Sequence, residues 1–159
     1  MNMEEKQKKI AKYGGMFYHL GSLRNLQFPE NFHWPREPYC FLDMEGSSLI
    51  IKDGAQLNSG VYIWTHSHQF EKSNWRELGS INSDKPTVIE ENAFLGCCVI
   101  ILSSCKRIGK CSVIGAGAVV TRDIPDYESC LHGNLPVSIH YDVVPMKTKF
   151  SWHINISST

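Results

Sequence analysis

Between Val88 and Ile124 an aliphatic residue returns every six positions, at Ile89, Leu95 and Ile101 and then, after one step of seven, at Ile108, Ile114 and Val120. A small or β-branched residue takes the fifth place of each step, at Ala93, Val99, Cys105, Ser112 and Ala118. Glycine takes the second in Gly96, Gly109 and Gly115. A period of six suits neither a helix of 3.6 residues per turn nor simple alternation. It suits a chain that turns a corner every six residues, so that three short strands complete one triangular turn. The aliphatic residue then points into the prism and the small one fits the crowded corner. Stacked turns bury a continuous apolar column that no single turn could bury alone.

The same beat runs earlier, through Ile51, Leu57 and Ile63, with Ala55, Val61 and Ser67 at the fifth places. It stops for about twenty residues, 69–88, a polar stretch carrying Trp75 and Pro86. A long loop inside a compact repeat is usually functional or reaches a neighbour. The step of seven predicts a bulged corner at Lys106-Arg107, and Pro125 is expected to end the ladder. Before the repeat, Ile10, Tyr13, Phe17 and Leu20 predict a short helix that breaks at Gly14-Gly15. Residues 21–46 hold Pro29, Pro35 and Pro38 among five aromatics, which predicts an irregular lead-in capping the open end of the prism. After it, Gly133-Asn134 reads as a tight turn, and 135–150 as a last strand or short helix. The expected organisation is one all-β domain over 1–159: a cap over 1–48, the repeat over 49–125 with its loop at 69–88, and a tail over 126–159.

Charge and cysteine usage narrow the function. Sixteen basic and sixteen acidic residues balance to zero, which argues against a nucleic-acid partner. No apolar run approaches the roughly 18 residues of a membrane span, and MNMEEKQKKI lacks a signal-peptide core, so the expected location is the cytoplasm with no membrane insertion. The six cysteines form no CxxC pair and are expected to be small buried thiols in a reducing compartment. Lacking ligands at finger-like spacing, the chain is expected to hold no metal.

Candidate chemistry gathers where the repeat hands over to its loop, at His66 and His68. Alternate residues on a strand share a face, and imidazole can take a proton from a hydroxyl near neutral pH. Surface histidines bonded to backbone, or two ligands of a metal lacking its third, are the alternatives. The segment Ile114 to Asp123 offers small residues against which an extended ligand can lie, with Arg122 able to meet phosphate. Lys106, Arg107 and Lys110 are further phosphate candidates.

These residues amount to a resemblance over about 49–136, carried by IKDGAQLNSGVYIWTHSH, IEENAFLGCCVIILSSC, RIGKCSVIGAGAVVTRDIP and HGNLP. The chain resembles the hexapeptide-repeat acyltransferases with a left-handed parallel β-helix, and within them the galactoside, maltose and polysaccharide O-acetyltransferases. The resemblance implies a homotrimer with active sites between subunits, acetyl-CoA as co-substrate and a sugar or glycan acceptor, as in surface-polysaccharide assembly. It places the catalytic histidine on His68, with His66 beside it, and cofactor contacts on Cys97, Ala116, Thr121 and Arg122. It implies direct transfer in a ternary complex, His68 removing the acceptor's proton. Val137 and Ser138 stand where relatives carry arginines. An amino-sugar N-acetyltransferase and a non-catalytic trimeric scaffold are the alternatives.

Overall fold

The structure, a computed structural model, describes residues 4, 5, 7, 8, 17–34, 40–68, 80–81, 84–131 and 135–137. Its short strands stack into three parallel sheets, one for each face of a prism. On the first face lie β1 (Phe17–Gly21), β3 (Cys40–Met44), β6 (Tyr62–Ile63), β11 (Ile100–Ile101) and β14 (Val119–Val120). The second carries β2 (Leu26–Gln27), β4 (Leu49–Ile51), β9 (Thr87–Ile89) and β12 (Arg107–Ile108). The third carries β5 (Gln56–Leu57), β10 (Phe94–Leu95), β13 (Val113–Ile114) and β15 (Ser129–Leu131). From β3 onward the chain visits the faces in the same order on every turn, and it forms a left-handed parallel β-helix.

The six-residue beat sets the register. Ile63, Ile101 and Val120 stack on the first face, Ile51, Ile89 and Ile108 on the second, and Leu57, Leu95 and Ile114 on the third. All are buried, as are the fifth-place residues Ala93, Val99, Cys105, Ser112 and Ala118. Ser112, the polar member, donates its hydroxyl to the Gly109 carbonyl at 2.6 Å, which removes the penalty of burying it. Trp34 closes the lower end, stacked on Phe17 and meeting Phe28 and Phe32 edge-on.

The corners demand a conformation that the sequence pattern conceals. Two of the three edges turn through left-handed backbone at the fourth place of the step. Gly54, Asn92, Cys111 and Tyr127 form one column, and Gly60, Cys98 and Gly117 the other. The second-place glycines answer a different need. A Cβ on Gly96 would lie 2.6 Å from the Ala116 nitrogen, and one on Gly109 2.2 Å from the Pro125 carbonyl oxygen. We expect Gly117→Val, which forces a β-branched residue to φ +71°, to cost about 1–2 kcal/mol in urea unfolding. Cys98→Gly relieves the same strain one turn away and should change stability by less than about 0.5 kcal/mol either way, because glycine's unfolded-state entropy offsets the relief.

Several expectations are corrected. Phe17 and Leu20 lie on a strand paired in parallel with Cys40–Met44, because a neighbouring strand outweighs their helical spacing. Among residues 1–16, Glu4, Glu5, Gln7 and Lys8 are helical, while Gly14-Gly15 lies outside the described residues. The ladder starts before residue 49, since β2 pairs with β4 and β3 with β6. Nor does Pro125 end it: Ile124 bridges Ile108, and β15 adds a further rung beside β13. Of the loop expected at 69–88, Thr87 and Val88 already belong to β9. Ser80–Ile81 (β8) pairs antiparallel with Ser67–His68 (β7). Beyond β15, Leu135–Val137 (β16) returns antiparallel to it; the expected turn at Gly133-Asn134 and everything after 137 lie outside the described residues.

The expected bulge is present, with Lys106 as the extra residue. Asp123 Oδ1 accepts from the N–H of Lys106 at 2.6 Å and of Arg107 at 3.0 Å, which secures the irregular corner. The bulge's charges are engaged by protein groups. Arg107 is paired with Glu90 and Asp126, and Lys106 donates to the Thr65 carbonyl.

Candidate active site

Asp43 organises the site. It is fully buried on β3, and its carboxylate closes a turn by accepting from the Glu45 N–H at 2.9 Å through Oδ1. Oδ2 accepts from the Thr65 N–H at 2.7 Å, the Thr65 hydroxyl at 3.1 Å, the His66 N–H at 3.0 Å and the His66 ring at Nδ1, 2.7 Å away. Burial alone would raise the carboxyl's pKa. The N–H groups of Glu45 and Thr65, the His66 ring and the His66 N–H together outweigh it and hold the group below the usual carboxylate range. An ionised carboxylate only accepts, so the proton between the two sits on Nδ1 and Nε2 is the open nitrogen.

Thr65 ties the two segments together. Its hydroxyl also accepts from the N–H groups of Gly46 and Ser47, both at 3.2 Å. Gly46 packs against Thr65 and His66 so closely that a Cβ there would lie 2.5 Å from the Thr65 carbonyl oxygen and 2.6 Å from the His66 Cβ. Gly46→Ala must therefore shift backbone. It should cost about 1–3 kcal/mol in urea unfolding and drag the His66 ring off Asp43, which loss of the downfield Nδ1 proton resonance would report.

The two histidines differ in access. The His66 side chain is 8% exposed, with Nε2 4.0 Å from the Glu45 carboxylate, which is itself 53% exposed. His68 is exposed, on the strand that opens the long excursion, and its ring meets His66 edge-on with centroids 5.1 Å apart. On the other side Trp64 approaches His66 at 6.3 Å and packs on Phe41 at 4.8 Å. Ligand atoms of Asp43, Glu45 and His66 lie within 4.8 Å of one another, but a metal would displace the donors that Asp43 already holds.

The four expected cofactor positions fall into two pairs. Cys97 and Ala116 share one edge on successive turns, linked where the Gly117 N–H donates to the Cys97 carbonyl at 2.8 Å, and both are exposed. Thr121 and exposed Arg122 lie at the other end of β14, on the edge that the histidines leave from and two turns further along, a rise of roughly 10 Å. Ser104, between them on that edge, donates to the Thr121 carbonyl at 2.7 Å. All six cysteines are free. Cys97 and Cys98 are exposed on a corner, contrary to the expectation of buried thiols. Burial pushes Cys105 up to about 12 and Cys40 to about 11, so both stay protonated and unreactive.

Asp43, Glu45 and Thr65 are functional candidates that the sequence pattern did not supply, and Lys106, expected as a phosphate candidate, instead donates to the Thr65 carbonyl. The one local signal was Asp43-Met44-Glu45-Gly46-Ser47, whose Asp, Gly and Ser are turn residues.

The structure thus places a buried carboxylate that holds one imidazole beside a second, exposed one, on the edge of a left-handed β-helix. No family model matches the chain. It is similar to the galactoside O-acetyltransferase of Lactococcus lactis subsp. lactis (strain IL1403), 60% identical over 132 residues that cover 77% of this chain and 61% of that protein. Among solved structures it is similar to a galactoside acetyltransferase in complex with coenzyme A, with a TM-score of 0.50, 21% identity and coverage of 82% of this chain and 68% of that one. It is likewise similar to a hexapeptide-repeat-containing acetyltransferase of Vibrio cholerae complexed with acetyl coenzyme A, with a TM-score of 0.51, 22% identity and coverage of 82% and 74%. The chain shares the left-handed β-helix fold of these hexapeptide-repeat acetyltransferases. It spans 61%, 49% and 39% of the lengths of three curated relatives. No helix among the described residues is long and apolar enough to cross a membrane.

Proposed function

We propose that the chain is an acetyl-CoA-dependent O-acetyltransferase that modifies a hydroxyl of a sugar or glycan. The observation that carries this reading is the Asp43–His66 contact at 2.7 Å with exposed His68 against the same ring, in a chain whose Lactococcus relative is named a galactoside O-acetyltransferase. His68 is the general base because an acceptor can reach it, whereas His66 is buried and already engaged. His66, fixed by Asp43, positions His68. The acceptor hydroxyl gives its proton to His68 as its oxygen bonds to the thioester carbonyl carbon. The tetrahedral intermediate then collapses, and coenzyme A leaves as the thiolate.

Acetyl-CoA would lie along the edge from the histidines toward Thr121 and Arg122. Exposed Arg122 suits a phosphate, and the small corner residues Cys97 and Ala116 leave room for an extended chain. Those two pairs occupy different edges, which suits a site shared between subunits of a homotrimer. We place the reaction in the cytoplasm, where acetyl-CoA is made.

Glu45 favours a second reading. Its exposed carboxylate, 4.0 Å from His66 Nε2, would attract a protonated amine and so suit N-acetylation of an amino sugar. Purified protein should release coenzyme A from acetyl-CoA in the presence of galactosides, and not without an acceptor. Matched hydroxyl and amine versions of one sugar separate the two readings. A chain that turns over acetyl-CoA with no member of a broad sugar and amino-sugar panel, and binds no coenzyme A by calorimetry, is a scaffold instead.

A further inference from the structure

We propose that Lys106, the extra residue of the seven-residue step, is a positioning residue that fixes the Thr65–His66 peptide and through it the histidine pair. The inference rests on the acetyltransferase reading for its kinetic arm alone.

Thr65 is 1% exposed, and a buried residue needs a partner for each polar group. Asp43 takes its N–H and its hydroxyl proton, and the Gly46 and Ser47 N–H groups take the hydroxyl's lone pairs. Its carbonyl remains, and that group belongs to the peptide unit whose N–H is His66's. Lys106 Nζ donates to this carbonyl at 3.3 Å, from one turn further along the prism and 41 residues on in sequence. Asp123 anchors the Lys106 backbone, so the ammonium is delivered from a fixed base. Burial lowers the ammonium's pKa, in keeping with a head group drawn out of water to reach its acceptor. The peptide ahead of His66 is thus held from both sides, by Asp43 through N–H groups and by Lys106 through the carbonyl.

The test compares Lys106→Met and Lys106→Arg with the wild type, in coenzyme A release with a galactoside acceptor and in the imidazole resonances of 15N-labelled protein. The His66 Nδ1 proton is assigned by its absence in His66→Gln. Lys106→Met should lower kcat about 10- to 100-fold, leave both KM values within about twofold, and broaden or erase the His66 Nδ1 resonance. Lys106→Arg, which can still donate to the carbonyl, should restore most of the rate and the resonance. If Lys106→Met does not fold, Lys106→Gln, whose amide stops short of the carbonyl, is read in the same way. A neutral variant with wild-type kcat, or with an unchanged His66 resonance, overturns the proposal. If the wild type acetylates no acceptor, the functional reading falls and the resonance alone decides on Lys106.

Discussion

Asp43→Ala should unfold at markedly lower urea than the wild type, by about 3–5 kcal/mol, the range expected when one member of a buried charged network is removed. Two backbone N–H groups at 65 and 66, the Thr65 hydroxyl, the His66 ring and the Glu45 N–H all end on this carboxylate, and deletion strands them in the interior. Asp43→Asn keeps the shape but turns one acceptor into a donor that faces other donors, so it should recover only part of the loss. Acid separates the two proteins. The carboxyl's folded pKa lies below its unfolded one, so the charge stabilises the fold above the unfolded value near pH 4 and ceases to as pH falls through the folded value. The wild type's advantage over Asp43→Asn should therefore be full at neutral pH and shrink below about pH 4. An advantage that stayed constant into strong acid would mean that the carboxylate is not the source of the effect.

His68→Ala should have the opposite profile. Its ring is exposed, so melting should hardly move, whereas loss of a general base lowers kcat about 10²–10⁴-fold. His66→Ala should lower both, because it removes the ring that pairs with Asp43. Full turnover in His68→Ala would transfer the role to His66, whose open Nε2 already has the tautomer a base needs.

Much of the fold was legible because a triangular solenoid repeats one local rule. Ile89, Leu95 and Ile101 mark three faces in succession, and the slip before Ile108 locates the bulge. The left-handed corners were not legible where Cys98, Cys111 and Tyr127 fill them, since glycine and, as at Asn92, asparagine are the residues that advertise that backbone. Strand β1 was hidden by helical spacing at Phe17 and Leu20, and its partner Cys40–Met44 lies beyond a stretch of prolines. Of the site, the histidines stood out by their place in the beat. Asp43 did not, for it sits 23 residues before His66 and ahead of the regular repeat. Only the stacking of β3 on β6 brings the two together.

The return of Leu135–Val137 along Ser129–Leu131 bears on what happens at the end of the solenoid. An open last turn presents strands in the same direction as every turn below it, and so offers a template on which another molecule could continue the ladder into a fibre. An antiparallel strand on that face breaks the direction of the repeat, so an incoming parallel turn finds the wrong hydrogen-bonding pattern. Cutting the chain after Leu131 would expose the Ser129–Leu131 edge to end-to-end growth, with long assemblies in place of discrete particles in light scattering.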